Sequence, residues 1–337
     1  ECSNIFAPLK RLEKLEMGET DTFNYDAFKN VNNNLRELKL SLISTIQIDA
    51  KFFNNHPYLE SLDLSNLSPS YSNEKYCIDL NAFANLKALK SLNLSDNDLN
   101  LDQDFATICS LENLETLNLS LSDRNEFIER QLKLNETTFE SMKSLKDLNL
   151  KGNQIKLEGN CFKHLTQLKH IDLSETIINT DNFDCDILSS LKQLEKFEFD
   201  DIEPRDLFQL HKLSELINLK ELKINEISEH DLEQFEEMLR EKRRRTGEVE
   251  EPDPNPTYDD LCYYILENLT KLTRLELYGC DLTYINTQVL GQMKELSTLF
   301  IGGQGIEPFP DDTFDSFTSL EEIGFFGSSW TIWRDWR

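Results

Sequence analysis

The sequence is short of the residues that mark several familiar classes of protein. Its 337 residues include only 11 glycines and 9 prolines, too few for a collagen-like or low-complexity chain. No run of 18 apolar residues occurs, so the sequence predicts no transmembrane span. Positive charge is also scarce, because 35 Lys and Arg face 62 Asp and Glu and the net charge is −27. A surface of that sign repels phosphate and anionic lipid, so we expect neither nucleic acid nor a membrane surface as a partner.

Motifs of catalysis and of metal binding are missing as well. The chain contains no HExxH, GxSxG, P-loop or GxGxxG motif, each of which would point to a known chemistry. Its seven cysteines include no CxxC or CxC pair, which argues against a zinc site. Their odd number leaves the redox state open. We therefore predict a folded, non-enzymatic protein with no catalytic residue, no metal and no cofactor.

What the sequence does contain is a recurring pattern of leucines. The clearest copies are LKSLNLSDNDL at residues 89–99 and LKDLNLKGNQI at residues 145–155, which both read LxxLxLxxNx(L/I). Upstream of several copies, apolar residues recur every third position, a spacing typical of a 3₁₀ or helical turn. Weaker copies bring the total to twelve, starting at residues 12, 35, 59, 89, 114, 145, 168, 194, 219, 272, 296 and 320.

This pattern resembles the leucine-rich repeat family, in the typical class found in ectodomains such as those of Toll-like receptors. The resemblance implies an α/β solenoid, a leucine-rich repeat horseshoe of about 12 coils. Its concave face would be a parallel β-sheet and its convex face short helices, 3₁₀ turns and loops. The alternation within LxL also predicts strands whose leucines point inward. No copy can bury its own leucines, so the coils must stack.

The asparagine position of the repeat is filled unevenly. Asn97 and Asn153 are predicted to bond the backbone of adjacent coils. Apolar substitutes such as Ile43 and Leu67 cannot do so, and predict local irregularity.

We predict one solenoid over residues 1–337, with a Trp-rich C-terminal cap at 328–337. The WxxWxxW spacing in this cap is also similar to a C-mannosylation signal. One step between copies is 53 residues long, which predicts an inserted, charged and proline-rich loop at 229–260. A charged helix over its first half is one interpretation, and a degenerate thirteenth coil is the alternative to an insertion.

Outward positions between the leucines should form columns on the concave sheet, where we expect binding. Around the seventh to ninth copies these positions are acidic and predict a patch for a partner with a basic surface. A merely solvated acidic face is the simpler interpretation. The acidic candidates are Asp172, Glu198, Asp200, Asp201 and Glu221.

A second group of candidates lies on the last three copies. It consists of Arg274, Tyr278, Phe300 and Phe326, with several glycines nearby. Arginine and aromatic residues are enriched in the energetic centres of interfaces, and small neighbours would leave room for an incoming side chain. The alternative is that the phenylalanines pack beneath the C-terminal cap.

The family resemblance implies a secreted or extracellular, immune-type recognition module that binds a protein ligand through its concave face and inserted loops. Secretion would make the N-x-S/T sequons possible glycosylation sites. These are Asn66, Asn93, Asn118, Asn135 and Asn268. Family ectodomains usually carry cysteine clusters at both ends, whereas this chain has only Cys2 near its start and none after Cys280. An intracellular adaptor or host-acting effector, resembling a substrate receptor of a ubiquitin ligase, is therefore the alternative.

Overall fold

The computed structural model divides the chain into two compact units, Glu1–Phe183 and Asp184–Arg337. The residues that it describes are 5–20, 28, 31, 34–43, 46–67, 78–97, 99, 101–122, 131–180, 190–199, 210–225, 229–246, 256–280, 282–284, 286–302 and 312–326.

The first unit contains two parallel sheets. Its strands are β1 (Lys14–Thr20), β2 (Glu37–Ile43), β3 (Ser61–Asp63), β4 (Ser91–Asn93), β5 (Thr116–Asn118), β6 (Gln131–Asn135), β7 (Asp147–Asn149), β8 (Gln154–Glu158), β9 (His170–Asp172) and β10 (Ile177–Thr180). The LxL segments of the repeat form the larger sheet, in the order β1-β2-β3-β4-β5-β7-β9, and the smaller sheet has the order β10-β8-β6. Leu80–Phe83 is a 3₁₀ helix and Leu101–Cys109 is helix α1.

The second unit repeats the arrangement with five LxL strands, which pair in parallel and in chain order. They are β11 (Lys196–Glu198), β12 (Glu221–Ile224), β13 (Arg274–Leu277), β14 (Thr298–Gly302) and β15 (Glu322–Phe326). The helical elements are a 3₁₀ helix at Leu210–Glu215, α2 (Glu229–Thr246), α3 (Tyr258–Leu266) and α4 (Thr287–Leu290). In both units the LxL copies are the strands, so the predicted α/β solenoid fold with its parallel sheet is confirmed. We call these strands the LxL sheet of each unit.

Leucines in register build the core behind the LxL sheet. In the first unit Leu62, Leu92 and Leu117 lie opposite one another on neighbouring strands, and each is at most 1% exposed. Burying a leucine of this kind stabilises the fold by about 1.5–3 kcal/mol. Phenylalanines fill the other side of the core, where the rings of Phe139 and Phe162 stack at 5.9 Å. Stacking therefore supplies the burial that a single copy lacks.

Asn97 joins two coils by hydrogen bonds, as the sequence predicted. Its Nδ2 donates to the carbonyl oxygen of Leu64 at 2.8 Å and to that of Leu94 at 3.0 Å. Its Oδ1 accepts from the backbone N–H of Leu67 at 2.8 Å. Leu67 is apolar at its own asparagine position and yet fully buried. The neighbouring coil satisfies its amide, which explains how the apolar residue is accommodated.

The contacts at the later asparagine positions change with the residue type. Asn153 Nδ2 donates to the carbonyl oxygen of Leu119 in the preceding coil at 2.9 Å. Thr176 donates one hydrogen bond within its own turn, at 2.6 Å to the Leu173 carbonyl. The Sγ of Cys280 lies 3.3 Å from the Tyr278 carbonyl oxygen. Among these hydrogen bonds, those that join neighbouring coils are made by asparagine side chains.

A row of ion pairs also links successive coils, at the position that follows the first leucine of each copy. Lys90 Nζ lies 2.6 Å from Glu60 Oε2, and Lys146 Nζ lies 2.6 Å from Glu115 Oε2. Exposed pairs of this kind contribute little stability. In each of these pairs the two neighbouring coils carry opposite signs.

The predicted insertion begins with a helix. Helix α2 spans Glu229–Thr246, and its Phe235 is 3% exposed and lies 5.1 Å from the ring of Tyr264 in α3. Helix α3 begins with a capping box between Thr257 and Asp260. Residues 247–255 and the predicted cap at 328–337 lie outside the described residues.

Candidate functional site

On the face of the second unit's LxL sheet opposite the leucines, residues form two columns that follow the register of the strands. The first column contains Lys196, Glu221, Arg274, Thr298 and Glu322. The second contains Glu198 on β11 and then Lys223, Glu276, Phe300 and Gly324. Four of the candidates predicted on these strands therefore share one surface, namely Glu198, Glu221, Arg274 and Phe300.

The first three strands of this surface alternate in charge along and across the sheet. We call the group the charged checkerboard, and its members are Lys196, Glu198, Glu221, Lys223, Arg274 and Glu276. Lys196 Nζ lies 3.3 Å from Glu198 Oε1 and 3.2 Å from Glu221 Oε2. Although burial lowers it, these two carboxylates raise the pKa of Lys196 above its ordinary value. Glu198 and Glu221 are thus ion-paired members of a neutral group and do not form the patch of one sign that the sequence suggested.

The charged checkerboard surrounds a shallow cavity. Its volume is about 110 Å³, and Phe197 and Leu222 are also among the residues that line it. Pockets for drug-sized ligands measure about 300–1,000 Å³. The size of this cavity therefore favours contact with a surface side chain of a protein over capture of a whole small molecule.

Of the remaining acidic candidates, one lies in the first unit and two lie outside the described residues. Asp172 belongs to the first unit, is 7% exposed, and accepts a hydrogen bond from the backbone N–H of Ser174 at 2.9 Å. Asp200 and Asp201 lie outside the described residues. Asp172 therefore holds a turn.

Asp172 is the last member of a row that the sequence analysis missed. In five LxL strands of the first unit, the side chain between the two leucines accepts a hydrogen bond from the backbone N–H two residues later, at 2.9–3.1 Å. The members are Asp63, Asn93, Asn118, Asn149 and Asp172. The signal was available, because five successive copies hold only Asp or Asn at this position.

Three aromatic side chains lie together on or directly after the last three strands, and we call them the aromatic platform. The Tyr278 and Phe326 ring centroids are 6.0 Å apart, and those of Phe300 and Phe326 are 5.8 Å apart. Phe326 is 52% exposed, whereas Tyr278 and Phe300 are half-buried. Burial, followed by the negative charge of Glu276, raises the pKa of Tyr278, which keeps its hydroxyl neutral.

Glycines on the adjacent strands allow these rings to lie close to the sheet. A Cβ atom at Gly324 would be 2.5 Å from Cδ1 of Phe300, and one at Gly302 would be 2.8 Å from Cδ1 of Tyr278. Contacts below 3.0 Å are too close for ordinary atoms, so something would have to move. The space that the sequence analysis assigned to an incoming side chain is therefore filled by the protein's own rings.

Two cations join the charged checkerboard to the aromatic platform. The guanidinium carbon of Arg274 lies 5.3 Å from the Phe300 ring centroid, and Lys223 Nζ lies 5.9 Å from that of Tyr278. Both distances are within the range of cation–π attraction. Arg274 also donates from Nε to Glu276 Oε1 at 2.5 Å. The platform is thus an apolar surface whose rings already attract cations.

The five sequons occupy two kinds of environment. Asn66, Asn135 and Asn268 are exposed. Asn93 and Asn118 are half-buried on the LxL sheet, and both belong to the row of turn-forming side chains. Asn135 also holds a turn, because its Oδ1 accepts from the backbone N–H of Thr137 at 2.9 Å. The structure therefore separates three exposed amides from two half-buried ones on the LxL sheet.

Groups suited to other chemistry are few among the described residues. No group of three or more His, Cys, Asp or Glu is placed there to hold a metal ion. The described cysteines, Cys109, Cys161, Cys262 and Cys280, are buried free thiols. Burial raises the pKa of Cys109 to about 12, which opposes the thiolate that a nucleophile requires. In the part of the chain that the structure covers, no helix is both long and apolar enough to cross a membrane.

Models of repeat families match the first half of the chain. A leucine rich repeat model matches residues 129–178, and a model of the BspA type leucine rich repeat region, with six copies, matches residues 2–130. Together they cover residues 2–178. Among curated proteins, the chain is 28% identical over 174 residues to the transforming growth factor beta activator LRRC33 of Danio rerio. That match covers 52% of this chain and 22% of the relative, so the chain spans about a fifth of the relative's length.

Solved structures share the fold at low sequence identity. TLR13 in its complex with ssRNA13 aligns over 96% of this chain and 44% of its own, with a TM-score of 0.58 and 19% identity. A leucine-rich repeat protein of Leptospira interrogans aligns over 95% of this chain and 79% of its own, with a TM-score of 0.55 and 19% identity. Likenesses at this identity concern the fold alone.

Proposed function

The chain belongs to the leucine-rich repeat family, and on that premise we propose that it is a non-enzymatic recognition module for a protein ligand. The ligand would bind the solvent-facing side of the second unit's LxL sheet. The aromatic platform carries this proposal, since Phe326 is 52% exposed beside two further rings. Clustered aromatics of this kind are typical energetic centres of interfaces.

The charge of the chain favours a ligand with a basic surface. At a net charge of −27, long-range attraction steers positive proteins toward this one and opposes negative ones. The same negative charge opposes the phosphates of nucleic acid. That the chain does not bind nucleic acid stays a prediction.

An extracellular or secreted location is part of the proposal. The similarity to LRRC33 supports it, and so do three exposed sequons that can accept glycans without disturbing the LxL sheet. A second candidate is the intracellular adaptor, which one observation favours. The four described cysteines are buried free thiols, and free thiols are usual in reducing compartments.

One mass measurement separates the two locations. The chain would be expressed for secretion by a eukaryotic cell, and its intact mass measured before and after deglycosylation and after thiol alkylation without reductant. Secretion with attached glycans supports the extracellular module. Failure to be secreted, or a product without glycans and with seven alkylated thiols, supports the adaptor.

A binding experiment tests the site. A panel of purified extracellular proteins would be screened against the wild type, and any ligand titrated against the double variant Phe300→Ala/Phe326→Ala. We expect a loss of about 2 kcal/mol, as at an interface hot spot. Tyr58→Ala is the matched control, because Tyr58 is a 53% exposed aromatic in the other unit. Equal affinity of the folded platform variant and the wild type would contradict the proposed site.

A further inference from the structure

The contacts of the aromatic platform also indicate the chemistry of the ligand. We infer that the ligand places an arginine or lysine side chain on the exposed ring of Phe326. This inference rests on the proposed function, because it names the contact that the same surface would make.

Two of the three platform rings already carry a cation from the chain itself. The Arg274 guanidinium carbon is 5.3 Å from the Phe300 centroid, and Lys223 Nζ is 5.9 Å from the Tyr278 centroid. These cations come from β13 and β12. Phe300 lies on β14, the strand after β13, and Tyr278 directly follows the last residue of β13. The first two rings thus share one mode of contact.

The ring of Phe326 differs from the other two, because no cation of the described residues lies over it. It lies on β15, the last strand of the sheet, and it is 52% exposed. Its ring contacts are those with Tyr278 and Phe300, and among the described residues no cation lies over it. A cation on this ring must therefore come from a second molecule or from outside the described part of the chain.

The charge of the molecule decides between an external cation and an external anion. Aromatic faces carry negative electrostatic potential, which attracts ammonium and guanidinium groups and repels carboxylates. The net charge of −27 acts in the same direction over longer distances. Arginine suits the site better than lysine, because its planar group is weakly hydrated and stacks on rings. Arg274 on Phe300 is an internal example of that stacking.

The probe for this contact is a peptide, acetyl-(Gly-Arg)4-amide, titrated into the full chain with ¹³C-labelled phenylalanine rings. Its control is the same peptide with citrulline in place of arginine, which keeps the shape and removes the charge. We expect the arginine peptide to shift the Phe326 ring resonances in a saturable way. The affinity of the citrulline peptide should be at least about fivefold lower. Phe326 shifts of equal affinity for both peptides, or none with the arginine peptide, would overturn the inference.

Variants separate this inference from the proposed function. Phe326→Leu keeps an apolar side chain but removes the ring, and Tyr58→Leu makes the same change at an exposed aromatic of the other unit. The Phe300 resonances report the affinity of each variant for the arginine peptide. We expect this affinity to fall at least about fivefold in Phe326→Leu and to stay unchanged in Tyr58→Leu.

The protein ligand selected in the screen gives the decisive comparison. If Phe326→Leu and Phe326→Ala weaken it alike, the cation contact is supported. If only Phe326→Ala weakens it, the cation inference fails while the binding site stands. If neither does and Phe300→Ala/Phe326→Ala is also neutral, the proposed site fails with it.

Discussion

The guanidinium of Arg274 stacks on the ring of Phe300 at 5.3 Å while its Nε donates a hydrogen bond to Glu276 at 2.5 Å. Arg274 thereby contacts both the charged checkerboard and the aromatic platform. Phe300 in turn lies against Gly324 on the next strand. The shape of the proposed binding surface thus depends on a glycine that touches no ligand.

Gly324→Ala tests that dependence. The added methyl group would lie 2.5 Å from Phe300 Cδ1, so the ring must move, and we expect a loss of about 1–3 kcal/mol in the free energy of unfolding. Urea denaturation measures it. In the background of Phe300→Ala the same change should cost less, because the two closest contacts are gone and the one with Phe326 Cε2 at 3.0 Å remains. Equal costs in both backgrounds would contradict the contact.

Asn97→Ala should be among the most damaging changes in the first unit. It removes bonds to the Leu64 carbonyl and the Leu67 amide and leaves both groups buried without this partner. We expect a loss of about 3 kcal/mol in the free energy of unfolding. Thr176→Val is the matched control, since Thr176 is equally buried but donates one bond within its own turn. We expect a cost of about 1 kcal/mol there, and equal costs would refute the role of Asn97 across coils.

How far the sequence predicts this molecule depends on which contacts repeat. The LxL strands could be predicted because leucine or another apolar residue recurs at the same spacing in every copy, and the bonds of Asn97 because asparagine stands at the turn position of the two clearest copies. The smaller sheet could have been predicted too, since QLKLN at 131–135 and QIKLE at 154–158 share one alternating pattern. The function of Gly324 could not. It depends on the direction in which the Phe300 side chain leans across the sheet, and that direction is a property of packing.

The site shows the same limit. Glu198 and Glu221 stand out in the sequence because acids are abundant around them. Lys196, which pairs with both, is two residues from one and a repeat away from the other. Only the register of β11 and β12 brings the three together. The sequence shows that these positions are charged. Only the structure shows that Lys196 pairs with Glu198 and Glu221.

His56 predicts a dependence of stability on acid. Its side chain is 1% exposed, its ring lies 4.6 Å from that of Phe28, and neither ring nitrogen has a hydrogen-bond partner among the described residues. Burial lowers the pKa of His56 from 6.5 to about 4. Between those values the unfolded chain binds a proton that the folded chain does not, so stability falls as pH falls from about 6.5 to 4. The full loss is about 3 kcal/mol.

Unfolding free energies between pH 7 and pH 4 measure this effect. His56→Phe should remove about 3 kcal/mol of the pH-dependent loss. His164→Gln is the control for the loss of a half-buried histidine elsewhere. An unchanged pH profile in His56→Phe would show that other groups cause the acid sensitivity.

The sequons should differ in occupancy if the chain is secreted. Asn93 Nδ2 donates to Asp63 Oδ1 at 3.1 Å while its Oδ1 accepts from the Ser95 amide, so a glycan there would compete with both contacts. Asn135 is exposed, and its hydrogen bonds from the backbone N–H and hydroxyl of Thr137 use Oδ1 and not the Nδ2 atom that carries a glycan. Asn268 is exposed, and its Nδ2 makes a 3.5 Å contact with Glu267 Oε1, so a glycan costs less at these two positions. Folded, secreted protein should therefore have sugar at the exposed positions and unmodified Asn93. Peptide mapping after enzymatic deglycosylation in heavy-oxygen water reports each site as a labelled aspartate. Full occupancy at Asn93 would show that its hydrogen bonds are dispensable, and Asn93→Gln would then leave the free energy of unfolding unchanged instead of lowering it by about 1 kcal/mol.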